Sequence, residues 1–174
     1  MRNDRTCGSM MTCPMPNAYR ARAGTNWIVA FTLSARRYGL PLSAVERIER
    51  VVAVTPLPEA PAIVLGVINV QGRVIPVIDV RQRFRLPQRE IALTDRMMIA
   101  RALGRTLALV VDSVTGVLEI SEQQSIAAED VLPELRYVES VVKLDGGLIL
   151  IHDLDGFLSL DEQSVLDRAL ESHS

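Results

Sequence analysis

The 174-residue chain predicts an all-β fold with one C-terminal helix. Three observations carry that expectation. Short runs of β-branched residues alternate with turns that hold glycine or proline. Much of this pattern occurs twice, at an offset of about 70 residues. A capping box, Ser159 with Glu162, then opens a segment whose Val165, Leu166, Ala169 and Leu170 share one helical face. Units of about five short strands are marginal alone, so the two repeats are expected to pack as one body. Strands this short favour small barrels, which hide their edges.

Composition narrows the function classes. A hydrophobic fraction of 48% with 23% charged residues is that of a globular chain with a full core. No apolar run approaches the ~20 residues that span a bilayer, and the first residues lack the apolar region of a signal peptide. The expectation is a cytosolic protein with no direct membrane insertion. A net charge of −2 gives no global attraction for nucleic acid or acidic lipid. Cys7 and Cys13 form no CxxC and lack further ligands nearby, so they read as incidental thiols, with no metal or cofactor expected. Residues 1–25 show little periodicity and are expected to be a disordered leader or partly an over-long translation start, with one domain over 26–174.

Taken in order, Ile28 to Leu33 reads as a strand, Ala35-Arg36-Arg37 as a turn and Tyr38 to Leu42 as the returning strand. Ser43 with Glu46 suggests a helical turn over Ser43 to Arg47, and Val51 to Val54 a further strand. The proline-rich Thr55–Pro61 connection leads to a hairpin turning at Gln71-Gly72. Its second strand, Val74 to Val80, is apolar on both faces and so buried on both, with a bulge or an edge expected at Pro76. A charged linker, Gln88 to Asp95, joins the repeats. Tyr38–Leu42 then aligns with Leu107–Val111, Arg36 with Arg105 and Val45 with Val114. The hairpin from Val67 aligns without a gap to that from Val141, so Gly72 meets Gly146 and Asp79 meets Asp153. The final helix covers about residues 160–172 and is expected to pack on a barrel.

Asp79, His152, Asp153 and Asp155 are the one cluster that invites acid–base or metal chemistry. Asp79 and Asp153 nevertheless sit at equivalent strand ends, where a carboxylate caps a following helical turn, and that reading is preferred. His152, alone in an apolar run, reads as a hydrogen-bonded structural histidine. Arg73, Arg81, Arg83, Arg85 and Arg89 form a basic stretch. With only 4% aromatic residues there is no stacking platform for nucleic acid, so a solvated face or a charge-steered protein contact is preferred.

The stretch from Leu65 to Phe84, LGVINVQGRVIPVIDVRQRF, together with YGLPLSAVERI before it and LALVVDSVTGVLEI after it, resembles the CheW family of chemotaxis coupling proteins. The resemblance covers about residues 27–170. It implies two packed five-stranded barrels of Src-homology-3 type around a shared hydrophobic core, without enzymatic activity. It also implies the partners: the cytoplasmic hairpin tip of a methyl-accepting chemoreceptor and the regulatory domain of a CheA-type histidine kinase, in receptor arrays beneath the inner membrane. The alternative is an accessory scaffold of a non-flagellar chemosensory pathway. The receptor contact is expected in the groove between the barrels. Val45 and Val114 would line it as repeat-related residues, and Gly66 would allow close approach. By resemblance Arg47, Asn69 and Gln71 join them, while no residue is assigned to the kinase. Relatives commonly read Asn-Leu-Arg-Gly where this chain has Asn69-Val70-Gln71-Gly72, and often carry an acid at the position of Arg47. Their acid–arginine pair is therefore absent in its usual arrangement.

Overall fold

The computed structural model describes residues 25–131 and 137–172. Residues 1–24, most of the expected leader, lie outside them, and Thr25 already belongs to the first strand. The elements are β1 (Thr25–Leu33), β2 (Arg36–Pro41), β3 (Val45–Arg50), β4 (Val64–Val70), β5 (Arg73–Ile78), α1 (Val80–Arg83), β6 (Arg96–Ala102), β7 (Arg105–Val111), β8 (Ser113–Ser121), β9 (Ser125–Ala127), α2 (Ala128–Val131), β10 (Val138–Leu144), β11 (Gly147–His152) and α3 (Leu160–Ser172). One sheet has the order β8-β1-β2-β11-β10-β9, the other β3-β6-β7-β5-β4.

Neither sheet is built from one repeat. The first contains β1 and β2 of the leading repeat with β8 to β11 of the second, and the other sheet is the converse. Both seams within a sheet are repeat-related: the parallel pair Val77↔Ala108 corresponds to Ile151↔Gly39. Each sheet closes on itself. A 3-10 turn at Glu122–Gln124 carries β8 into β9, which pairs with β10, so the two edge strands of that sheet are consecutive in the chain. In the other sheet Thr55, just after β3, exchanges both backbone hydrogen bonds with Val67 of β4, at 2.9 and 2.8 Å. The result is two small barrels of Src-homology-3 type.

Alternation along the strands sorts the apolar side chains into three cores. Ile28 and Ala30 fill the six-stranded barrel with Ile120, Val142, Ile149 and Ile151. Met97 and Ile99 fill the five-stranded barrel with Ile68, Ile75, Val77 and Ala108. The opposite faces of the same strands, Val29, Phe31 and Leu33 from β1 and Met98, Ala100 and Ala102 from β6, meet in the core that the barrels share. Helix α3 closes this shared core with Leu166. The capping box forms as expected: Ser159 N–H donates to Glu162 at 2.7 Å and Glu162 N–H to Ser159 at 3.2 Å.

Several local expectations are corrected. No helical turn covers Ser43 to Arg47; a 3-10 turn occupies Leu42–Ala44, and Glu46 and Arg47 belong to β3. Val51 to Val54 is not a strand, because ladder pairing resumes only at Thr55. The β1–β2 turn falls on Ser34 and Ala35, both at positive φ. Neither is a turn-favouring glycine or asparagine; Ser34 is held from outside, its N–H donating to Asp112 at 2.8 Å and its hydroxyl accepting from Arg81 at 2.7 Å. At Gln71-Gly72 both residues take positive φ, 52° and 81°, as a two-residue hairpin turn with the twist of its strands requires. Pro76 makes no bulge but lies at a locally unpaired edge of β5, as one of the two expected alternatives has it. Its partner Val67 turns its own polar groups to Thr55, so the pair is not hydrogen-bonded and the proline nitrogen faces away from β4. Pairing on that other side reaches only Val77 and Ile78, so no ladder bond is lost. One barrel also has six strands where five were expected, because the bend at Glu122–Gln124 makes β9 a separate element.

Candidate functional site

The supposed catalytic cluster is dispersed into structural roles. The Asp79 carboxylate accepts from the N–H groups of Arg81 and Gln82, at 3.0 and 3.3 Å, and caps α1. Asp153 accepts from Asp155 N–H at 2.9 Å, capping a 3-10 turn at Leu154–Gly156. Asp155 accepts from Leu103 N–H at 2.8 Å and ties that turn to the β6–β7 connection. His152 is 3% exposed and lies in an aromatic stack, with ring centroids 4.1 Å from Phe84 and 5.6 Å from Tyr38. Its Nδ1 is 2.8 Å from the Tyr137 carbonyl. A carbonyl only accepts, so Nδ1 carries the proton and Nε2 holds a buried lone pair without a partner. Burial lowers the His152 pKa to about 4, against the opposing pull of that hydrogen bond. Among the described residues no group of three His, Cys, Asp or Glu side chains is placed to hold a metal.

The basic stretch is not a free solvated face. Arg81, only 8% exposed, reaches Ser34 of the other barrel and pairs with Asp112, which follows β7. Arg89 forks onto Asp95 at 2.6 and 2.9 Å and also meets Asp112 at 2.7 Å. The charged linker Gln88 to Asp95 is thus a braced loop, reinforced by Ala92 N–H donating to Asp95 at 2.8 Å. Arg83 joins α1 to Glu162 of α3 at 2.6 Å. Arg73 donates to Thr106 at 2.8 Å. Burial alone would raise the Asp112 pKa; Arg81, the Ser34 N–H and Arg89 outweigh it and hold the carboxyl below its usual range. Sequence reasoning does not single out Asp95 or Asp112. The one available signal is that each is a lone acid at the end of an apolar strand.

The six residues expected at a receptor contact are placed as follows. Val45 opens β3 opposite Ala100, and Val114 lies in β8 opposite Phe31. Both are half-buried against the shared core, at repeat-related places on the two barrels. Arg47 pairs with Glu49 on its own strand at 3.3 Å. Asn69 folds back on its hairpin, its Oδ1 accepting from Gly72 N–H at 2.9 Å, and Gln71 is exposed at the tip. Gly66 has a different reason for being glycine than close approach of a partner. At φ 149° its missing Cβ would lie 2.2 Å from the Thr55 carbonyl oxygen, so the space is needed to close the barrel.

Two closed barrels share one core, with Asp79 and Asp153 engaged as caps and Asp95, Asp112 and Glu162 as ion-pair partners, and together they form a double-barrel module. The CheW-like domain profile matches residues 28–162, which span both barrels, and the chain belongs to that family. It is 28% identical over 142 residues to the chemotaxis protein CheW of Rhizobium meliloti, covering 80% of this chain and 92% of that one. The Bacillus subtilis CheW is 29% identical over 146 residues, covering 82% and 94%. The crystal structure of the scaffolding protein TtCheW from Thermoanaerobacter tengcongensis superposes with a TM-score of 0.73 at 32% identity, over 79% of this chain and 94% of that chain. Protein FrzA of Myxococcus xanthus is 27% identical over 103 residues, covering 59% and 61%. The family makes the chain a chemosensory scaffold.

Proposed function

We propose that this chain is a non-enzymatic adaptor that couples the hairpin tip of a methyl-accepting chemoreceptor to the regulatory domain of a CheA-type histidine kinase, at receptor arrays beneath the inner membrane. The observation that carries the reading is the family match across both barrels and the core they share. The engagement of Asp79, Asp153 and Asp155 within the fold agrees with it, since each carboxylate already holds a backbone N–H. The receptor contact in this reading centres on Val45 and Val114, with Arg47, Asn69 and Gln71 at its rim; Gly66 contributes by holding β4 in place. Val45→Met is expected to weaken receptor binding while stability stays within about 1 kcal/mol, because a half-buried site accepts the longer side chain at its surface. A cooperative loss of stability with unchanged receptor affinity would remove Val45 from the contact. Capture from the native cell extract, with kinase and receptor read out together, tests the pairing itself.

A scaffold of a non-flagellar pathway is the second reading, favoured by Arg47 and Gln71. A cation stands at position 47 where relatives often carry an acid, and Gln71 offers no charge at the hairpin tip. Exposed ion pairs contribute only about 0–1 kcal/mol to stability, so such changes act mainly on partner choice. The exchange Arg47→Glu with Gln71→Arg should then raise affinity for flagellar partners. Unchanged affinity for both partner sets would make the two residues neutral.

A further inference from the structure

The two barrels carry equivalent surface rows, and the fold answers the charge of only one. In the six-stranded barrel Lys143 of β10 stands opposite Leu148 of β11. The parallel pair Leu150↔Tyr38, followed two residues back along both strands, sets Arg36 of β2 on the other side of Leu148. All three project from the face turned away from the barrel interior, which Ile149 and Ile151 fill. The repeat alignment carries this row to Asn69, Val74 and Arg105. Those residues are joined in the same way, through Asn69↔Val74 and the parallel pair Val77↔Ala108. Leu148 and Val74 are each 61% exposed. Arg105, however, is paired with Asp167 of α3. Arg36 meets Tyr38, but among the described residues neither Arg36 nor Lys143 has a carboxylate partner, and Asp145 at the nearby turn pairs with neither.

Helix α3 shows what kind of element answers such a row. It buries Leu166 and Ala169, and its Asp161, Glu162, Asp167 and Glu171 stand against Arg168 alone. We infer that Lys143, Leu148 and Arg36 form a docking site for an acidic amphipathic helix of a partner protein, apart from the receptor contact at Val45 and Val114. Spacing defines that helix. Neighbouring strands lie about 4.8 Å apart, so the two cations bracket Leu148 across about 10 Å. A helix rises about 1.5 Å per residue, so acids at i and i+7 stand about 10 Å apart on one face. An apolar residue at i+3 or i+4 falls between them and meets Leu148. A second copy does not supply this helix. No two acids of α3 are seven residues apart, and its Leu166 is sealed in the shared core.

The probe is a stapled helical peptide of about four turns, with Glu, Leu and Glu at i, i+3 and i+7, its binding to the full chain followed by fluorescence anisotropy. It should bind the natural chain, and more weakly as salt is raised. Arg36→Glu with Lys143→Glu should weaken binding by roughly tenfold or more, because two attractions become repulsions. The same peptide with Lys in place of both Glu should prefer that double variant to the natural chain. Leu148→Ser should also weaken binding. Val74→Ser, in the equivalent row, and Val45→Met, in the receptor contact, should leave it unchanged, so this inference and the receptor reading fail separately. Melting temperatures of all variants check that the barrels remain folded. The inference is overturned if the peptide does not bind at low salt, if the double variant binds it as tightly as the natural chain, or if exchanging the charges gives no rescue. It is also overturned if the natural chain sediments as a dimer that the double variant abolishes, since the occupant is then a second copy.

Discussion

Acidification should destabilise this protein well before its carboxylates are protonated, and His152 is the reason. The imidazole is held neutral in the fold, with a pKa of about 4 against an ordinary value of 6.5. Unfolding frees it to bind a proton, so the unfolded state takes up more protons wherever the pH lies between those values. Stability is therefore fully present above about pH 6.5 and falls as the pH drops toward 4. The difference amounts to about 3 kcal/mol at the low end, most of it lost by pH 4.5. His152→Phe keeps a ring against Phe84 and removes the buried lone pair, while forfeiting one hydrogen bond to Tyr137, for a net change within about 1 kcal/mol at pH 7. Urea unfolding at pH 7.0, 6.0, 5.0 and 4.5 (conditions spanning roughly that window) should show a steep decline for the natural chain and a much flatter one for the variant. Asp112 and Glu162, whose carboxyls are held below their usual range, lose their contributions only at still lower pH and affect both proteins alike. Parallel declines in the two proteins would refute the argument.

Two other expectations follow from single residues. Gly66→Ala places a Cβ 2.2 Å from the Thr55 carbonyl at φ 149°, and should cost at least about 2 kcal/mol in thermal unfolding, whatever partner is present. Arg81→Ala leaves the Ser34 hydroxyl without its donor and strips Asp112 of one of its two cations, for a loss of about 2–4 kcal/mol; Arg81→Lys should recover only part of it, since one ammonium cannot reproduce the fork.

How much of this was legible in the chain follows from what each signal depends on. The hairpins, the C-terminal helix and its capping box are local, and a run apolar on both faces marks Ile75 to Ile78 as doubly buried, although Val74 beside the hairpin turn is exposed. The carboxylate caps were legible because the repeat set Asp79 and Asp153 at the same strand end. The turn falls on Ser34-Ala35, one residue before the sequence expectation, where Ser34 is held at positive φ by Asp112 and Arg81, both distant in sequence. Gly66 was read as an opening for a partner, since sequence gives no sign that Thr55 returns to that point. Arg81 and Arg83 resemble a solvated patch in sequence because their acids, Asp112 and Glu162, lie 31 and 79 residues further on, whereas Arg89 meets Asp95 within its own linker.

The exchange of strands between repeats lies deeper than any of these. Equivalent strands carry the same pattern, so β2 presents as good an edge to β5 of its own repeat as to β11 of the other. Pattern alone cannot choose between them; the structure takes the second in both barrels, through parallel pairs at Leu150↔Tyr38 and Val77↔Ala108. That choice makes the repeats inseparable. Residues 25–87 alone would hold β1 and β2 without β8 to β11, and β3 to β5 without β6 and β7, leaving both barrels open and the shared core halved. Each open sheet would expose unpaired edges and apolar faces, which small units cannot sustain. Chains cut between Pro87 and Gln88 should therefore be unfolded or aggregated when expressed singly, and should recover the native far-ultraviolet spectrum only when produced together. A stably folded, monomeric 25–87 fragment would mean that each repeat can close on itself, and the interlocking would then be a property of the intact chain rather than a requirement of its strands.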